Sequence, residues 1–139
     1  MEIIGMGSEI IECLRIRRMI ERHGEFFLLR VYTMDEIEDC QQRRQSTELF
    51  AARWAAKEAV YRSIGTPWRR GLAWTDVEIR YSSEGEPHVQ LRGMAKELSE
   101  RRGVQTIRLT TAFCRAYATA TSLALGGGAK PSIPPSETD

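Results

Sequence analysis

A chain of 139 residues has the length of one domain and can bury one hydrophobic core. Hydrophobic residues make up 42% of it and charged residues 28%, as in ordinary soluble globular proteins. Because 20 Lys and Arg nearly balance 19 Asp and Glu, the bulk charge argues against a dedicated nucleic-acid-binding protein, and a basic surface must be local.

The first half of the chain predicts one short strand followed by three helices. Residues 3–6 form an apolar run closed by glycines, which indicates a buried strand, and apolar residues at near-helical spacing predict a helix over residues 10–23. Thr33 followed by Glu36 is a capping-box pattern that opens a second, polar helix. Residues 46–64 are rich in Ala, Leu, Glu and Arg and predict a long helix, which a Gly-Thr-Pro stop signal ends.

The second half predicts mostly strands. Residues 77–81 alternate apolar and polar side chains, and the turn-forming residues 82–87 separate them from residues 88–91, which predicts a hairpin. A short helix over residues 93–102 ends at Gly103. The two last strands are predicted over residues 104–112 and 116–125. The second of these segments is alanine-rich and is also compatible with a helix.

The resulting order, β-α-α-α-β-β-α-β-β, predicts a small single α+β domain with an antiparallel sheet and a long central helix. We place this domain in residues 1–125 and expect the Gly-, Pro- and Ser-rich residues 126–139 to be a disordered tail. The start of the chain lacks the features of a signal peptide, and no apolar stretch approaches the roughly 18–20 residues that span a membrane. We expect a cytoplasmic protein with no membrane partner. Its cysteines form no metal or disulfide pattern and should be buried free thiols: Cys13, Cys40 and Cys114.

The long predicted helix carries two charges in or beside its apolar stripe. Trp54 and Tyr61 lie on the same side of it as Lys57 and Glu58. Charges in such a position are costly unless they are paired or bound to a ligand. The two side chains therefore reach water, pair with neighbours such as Arg62, or bind a ligand.

Two further features suggest ligands. Gly5 and Gly7 form a G-x-G turn that is either a phosphate-binding turn or a tight turn with Glu9 near a helix N-terminus, and the rest of a dinucleotide motif is missing. A group of arginines shares one face of the first helix, which suits an acidic protein partner or phosphate, or is a solvated face. These arginines are Arg15, Arg18 and Arg22. A nucleic-acid adaptor has no support beyond them.

These motifs resemble, in order and spacing, those of the holo-acyl-carrier-protein synthases, a family of 4'-phosphopantetheinyl transferases. Residues 5–12 are similar to the family opening G-x-G-x-D-[IV]-x-E, and residues 50–59 to its signature F-x-x-R-[FW]-x-x-K-E-A. The resemblance extends over about residues 3–125 in one register. Shorter matches occur at residues 64–66, 74–79 and 85–87.

The resemblance implies a homotrimer that transfers the 4'-phosphopantetheine group of coenzyme A to a serine of an apo acyl carrier protein and releases 3',5'-ADP. Glu9 and Glu58 would bind Mg²⁺, which prefers one or two carboxylates together with phosphate oxygens and water. Glu58 and Lys57 would be catalytic, and Lys57 and Arg62 would contact the pyrophosphate or assist proton movement. The implied coenzyme A contacts are Arg53, Arg62, Gly65, Thr66 and Pro87. The implied contacts to the acidic carrier are Arg15, Arg18, Arg22 and Arg30.

The chain departs from the family pattern at three places. Glu9 replaces an aspartate, Arg62 stands where lysine is frequent, and Ala112-Phe113 replaces a Ser/Thr-His pair. Phenylalanine cannot bind phosphate by a hydrogen bond or relay a proton, although Thr110 or Thr111 could compensate. The alternative hypothesis is therefore an impaired homologue that binds a carrier or coenzyme A without transfer. The retained carboxylates and Lys57 favour an active enzyme, since metal and phosphate positioning supply most of phosphoryl-transfer catalysis.

Overall fold

The computed structural model describes residues 1–66 and 71–127. Its described part is an α+β domain, as predicted, in which a short 3₁₀ turn (Trp74–Asp76) leads into the hairpin. In chain order the elements are β1 (Glu2–Glu12), α1 (Cys13–His23), α2 (Glu25–Val31), α3 (Met34–Gln41), α4 (Ser46–Ser63), β2 (Val77–Tyr81), β3 (Pro87–Leu91), α5 (Gly93–Arg101), β4 (Val104–Phe113) and β5 (Tyr117–Gly126).

Two antiparallel sheets surround the long helix α4. The larger sheet has the strand order β1-β5-β4, and β2 and β3 form the predicted hairpin. Helix α4 packs on the inner face of the larger sheet and is buried along most of its length. The alanine-rich segment is strand β5, which alternates buried and less buried residues with a period of two. Its small inward side chains let α4 lie close to the sheet, and they are Ala118, Ala120, Ser122 and Ala124.

Strand β1 is much longer than the sequence predicts. After a bulge near Gly5, β1 pairs with β5 without interruption as far as Glu12, which lies opposite Tyr117. Helix α1 therefore begins at Cys13 and not at residue 10. The alternative interpretation of the opening motif, a tight turn with Glu9 near a helix N-terminus, is wrong, because Gly5, Gly7 and Glu9 all lie within the strand. Gly5 and Gly7 suggested that the strand ends early, but they lie within it and allow α4 to pack closely against it.

Helix α2 was not predicted. Gly24, at φ 55°, separates it from α1, and α2 buries Phe27, Leu28 and Val31. The capping box of α3 is confirmed, with the backbone N–H of Glu36 donating to Thr33 Oγ1 and that of Thr33 donating to the Glu36 carboxylate.

Several smaller predictions have mixed outcomes. All three cysteines are free thiols, but Cys114 is exposed, because it follows β4 at the turn into β5, and only Cys13 and Cys40 are buried. Among the described residues, no helix is long and apolar enough to cross a membrane. Pro67 of the stop signal and residues 128–139 of the predicted tail lie outside the described residues.

Candidate functional site

Close packing of β1 on α4 brings two acidic side chains together. Gly5 and Gly7 face the helix, and a methyl group at either position would collide with a backbone carbonyl oxygen of Ser63 or Ala59. Side chains on a strand alternate, so Glu9 faces the same way as Gly7 and meets Glu58 on α4. The predicted pair of carboxylates is thus assembled by a strand and a helix that are far apart in sequence.

The environment of Glu58 disfavours its ionised form. Burial raises the pKa of the Glu58 carboxyl, and the charge of Glu9 and a hydrogen bond with it raise that pKa further. The nearby indole of Trp54 and the guanidinium of Arg62 act in the opposite direction without cancelling the shift. The indole Nε1 is buried and forms no hydrogen bond of normal geometry within the described residues. Within the described residues, two carboxylates therefore share the positive charge of one guanidinium, that of Arg62.

Arg62 supplies the positive charge that the structure places at this pair. Its guanidinium lies 2.8 Å from Glu9 Oε1, one helical turn after Glu58. The arginine side chain is 52% exposed, whereas Glu9 is 21% exposed. Arg62 thus lies at the mouth of the site, with the carboxylates behind it.

The donor set fits a magnesium ion that is also bound by phosphate. Two carboxylates are present, and no cluster of three or more His, Cys, Asp or Glu side chains suited to a metal occurs in residues 1–66 and 71–127. Mg²⁺ keeps several waters and commonly uses one or two carboxylates together with substrate phosphates. Glu9 and Glu58 would hold the ion, which would offset the negative charge of a transferring phosphoryl group.

Lys57 lies on a different side of α4 from Glu58 and is completely buried. Its Nζ is 2.9 Å from Glu36 Oε1 and donates hydrogen bonds to the carbonyl oxygens of Trp74 and Val77. Burial lowers the pKa of Lys57, and the Glu36 carboxylate opposes that shift. These contacts are those of a residue that holds α3, α4 and β2 together. Its catalytic role stays a prediction.

The ion pair of Lys57 belongs to a larger buried network that the sequence did not reveal. Glu36 also accepts the backbone N–H of Ile79 at 2.8 Å, and Thr33 Oγ1 donates to Glu78 at 2.6 Å. Burial by itself would raise the pKa of Glu78, but hydrogen bonds from Thr33, Arg92 and Arg80 outweigh it and lower the pKa to about 2. Glu36 was visible as part of a capping box, whereas Glu78 appeared only within the matching segment 74–79, with no role assigned to it.

Arg53, a predicted coenzyme contact, is likewise buried and paired within the domain. Its guanidinium lies 2.6 Å from Asp39, donates to Cys40 Sγ at 3.2 Å and stacks on Tyr81 at 4.8 Å from the ring centroid. Pro87 is the first residue of β3, opposite Tyr81. Both residues belong to the hairpin side of the molecule and not to the carboxylate pair.

Gly65 and Thr66 directly follow α4, a few residues beyond Arg62. Gly65 has a φ of 92°, and a side chain there would collide with the guanidinium of Arg102. Thr66 is buried. The structure therefore groups Glu9, Glu58 and Arg62, and places Gly65 and Thr66 just after the helix that carries the site.

The residues that replace the expected Ser/Thr-His pair lie at the end of β4. Phe113 is 40% exposed and pairs with Ala118. Thr111 on β4 and Glu9 on β1 each pair with Ala120 on the central strand β5. The three residues therefore lie in one row across the sheet. The Thr111 hydroxyl is hydrogen-bonded to that of Tyr81 at 2.9 Å. Neither position supplies an imidazole near the carboxylates.

The predicted basic face forms a surface groove on α1. The groove has a volume of about 340 Å³, and Glu12 and Met19 contribute to it along with three arginines. Arg30 is exposed on the neighbouring helix α2. The arginines of the groove are the three predicted ones, Arg15, Arg18 and Arg22.

Comparisons with known proteins agree on one family. Residues 5–122 match the 4'-phosphopantetheinyl transferase superfamily. A holo-[acyl-carrier-protein] synthase of Rhodopirellula baltica is 46% identical over 121 residues, which cover 86% of this chain and 95% of that protein. The crystal structure of the synthase from Neisseria meningitidis is similar, with a TM-score of 0.80 and 27% identity over 88% of this chain and 98% of that one. The synthase of Bacillus anthracis, solved in complex with CoA (3',5'-ADP), has a TM-score of 0.75 and 25% identity, and the match covers 91% of this chain and all of that one.

Proposed function

The chain belongs to the holo-[acyl-carrier-protein] synthases of the 4'-phosphopantetheinyl transferase superfamily, and on that premise we propose which residues carry the transfer and which metal it uses. The enzyme transfers a phosphopantetheinyl group from coenzyme A. In our proposal the acceptor is a serine of an apo acyl carrier protein. The serine oxygen loses its proton and bonds to the phosphorus, the bond to the nucleotide breaks, and 3',5'-ADP leaves.

The observation that carries this proposal is the grouping of Glu9, Glu58 and Arg62. The carboxylates would hold Mg²⁺ against the pyrophosphate of coenzyme A, and Arg62 would bind the same phosphates. Such transfers depend mainly on positioning and on neutralising charge in the transition state. Glutamate in place of aspartate at position 9 keeps the charge and reaches Glu58 in this fold.

The surfaces around the site support the remaining contacts. Gly65 and Thr66 lie at the end of α4 where a coenzyme bound to Arg62 would extend, and the groove of α1 arginines would accept an acidic carrier protein. Arg53, Lys57 and Pro87 lie on the hairpin side, and we assign the first two to holding α4 in place. Pro87 would contribute to a coenzyme site only from a neighbouring subunit.

We further propose a homotrimer, and the outer face of the larger sheet offers an apolar surface for a subunit interface. Met6 and Ile10 are exposed there, on the side opposite α4. An exposed apolar sheet face is typical of a subunit interface. The free thiols are those of a protein in a reducing compartment, which supports a cytoplasmic location.

The test is intact-mass spectrometry of an apo acyl carrier protein incubated with this enzyme, coenzyme A and Mg²⁺. We expect the carrier mass to increase by one phosphopantetheine group and 3',5'-ADP to appear in equal amount. Chelation of the metal should abolish the increase, and the variant Glu58→Gln should slow it by more than about 100-fold. Glu97→Gln removes an exposed carboxylate of a surface ion pair and serves as the matched control with full activity.

The second candidate function is a homologue that binds a carrier or coenzyme A without transfer, and Phe113 favours it. No mass increase with several carriers, together with measurable binding of coenzyme A, would support it. A mass increase in Glu58→Gln at the rate of the wild type would instead refute the metal assignment.

A further inference from the structure

Two of the departures from the family pattern are partners in one ion pair. Glu9 and Arg62 each have a longer side chain than the residue commonly found there, and together they bridge from β1 to α4 at 2.8 Å. Among the described residues this is the only ion pair of Arg62, and the guanidinium is exposed enough to leave it. The carboxylate oxygen that Arg62 contacts belongs to a side chain that the metal would need.

We propose, on the basis of the function proposed above, that Arg62 is a movable counter-ion that couples metal binding to coenzyme A binding. In the empty site its guanidinium neutralises Glu9 and competes with the metal. When coenzyme A enters, the pyrophosphate draws the guanidinium away, because two phosphate groups offer Arg62 a stronger partner than a single carboxylate. Glu9 is then free for the metal.

Charge and position both support this exchange. Two carboxylates face one guanidinium at the site, and the positive charge of Arg62 acts on Glu58 as well as on Glu9. Arg62 lies in the last turn of α4, so its backbone is fixed while its side chain can rotate between the strand and the residues after the helix. A divalent ion and the guanidinium cannot occupy the same oxygen of Glu9.

Thermodynamic linkage gives the consequence that can be measured. If coenzyme A removes a competitor of the metal, each ligand must increase the affinity for the other by the same factor, and couplings of this kind are commonly about 5- to 150-fold. Removing the arginine removes the competitor. Metal alone should then bind more tightly, and coenzyme A should increase that affinity by a smaller factor.

The experiment uses Mn²⁺ as a spectroscopic probe of the full-length protein, with free Mn²⁺ measured by electron paramagnetic resonance. Titrations are made with and without coenzyme A, and no carrier protein is present, so that no transfer occurs. We expect Arg62→Gln to bind Mn²⁺ alone about fivefold more tightly than the wild type, with the enhancement by coenzyme A reduced by a similar factor. Arg62→Lys should lie between the two. Arg101→Gln, which removes an exposed arginine of a surface pair, should match the wild type.

The outcomes separate this inference from the proposed function. If Glu9→Gln and Glu58→Gln bind Mn²⁺ as well as the wild type does, the metal site itself is wrong. If those variants lose Mn²⁺ but Arg62→Gln binds the ion no more tightly than the wild type, the metal site stands and the counter-ion role of Arg62 is overturned. Circular dichroism at each step identifies a variant whose fold has changed.

Discussion

Lys57 and Glu58 are neighbours on one helix, yet they belong to two different kinds of charged cluster. Lys57 is completely buried, with an ion pair to Glu36 and two carbonyl acceptors. Glu58 faces a second carboxylate, Glu9, and its pKa is raised. The charges of the first cluster are fully paired within the protein, whereas those of the second need a cation to balance them. Incomplete pairing, more than burial, distinguishes the side of α4 to which we assign the metal site.

The strongest test of this comparison removes the positive charge of Lys57 from its buried cluster with Glu36. Lys57→Met should lower the free energy of unfolding by about 3–5 kcal/mol, because Glu36 would remain buried without its partner. Urea denaturation followed by tryptophan fluorescence measures the loss. The double variant Lys57→Met/Glu36→Gln should recover part of it, and a single variant as stable as the wild type would show that Lys57 is not a structural residue.

The corresponding change on the other side of the helix should damage activity and not stability. Glu58→Gln should reduce transfer by more than about 100-fold, equivalent to about 2.7 kcal/mol, since the proposed metal ligand is lost. Its free energy of unfolding at neutral pH should be equal to or above that of the wild type. The raised pKa means that the fold disfavours the ionised carboxylate, which the neutral amide replaces. A clear loss of stability would contradict this distinction.

Acid should remove stability that the buried charged network around Lys57, Glu36 and Glu78 provides. The pKa of Glu78 falls from its ordinary 4.5 to about 2 on folding, so its contribution to stability is complete above pH 4.5 and is lost as the pH falls through about 2. We expect the free energy of unfolding to decline over that interval and Glu78→Gln to decline less steeply. Urea midpoints measured at a series of pH values test this, and parallel curves would show that Glu78 does not contribute.

The smallest expected effect concerns the residue at the end of β4. Phe113→His should raise the transfer rate by up to about tenfold, the equivalent of one restored hydrogen bond of about 0.5–1.5 kcal/mol. The partly exposed position should accept the change without loss of folding. An unchanged rate in a folded variant would mean that the site works without an imidazole, and Phe113→Leu controls for the loss of the ring.

Local sequence patterns were sufficient for much of the fold. Helix α4, the β2–β3 hairpin and the capping box at Thr33 follow from residue spacing and turn chemistry, which act over a few neighbouring residues. The resemblance to one family identified Glu9 and Glu58 as a pair. Local patterns failed where a distant partner decides the structure. Strand β1 continues to Glu12 because β5 pairs with it, and the glycines within it are explained only by the approach of α4.

The sequence by itself determined that this chain is an α+β member of its family, whereas the structure was needed to place Glu9 within β1. Only the tertiary structure decided what each charge does. Adjacent residues on a helix point about 100° apart, so packing determines that Lys57 enters the core while Glu58 meets Glu9. The pairing of Arg62 with Glu9 likewise depends on the contact between a strand and a helix that are more than 30 residues apart in the chain, and no local pattern encodes it.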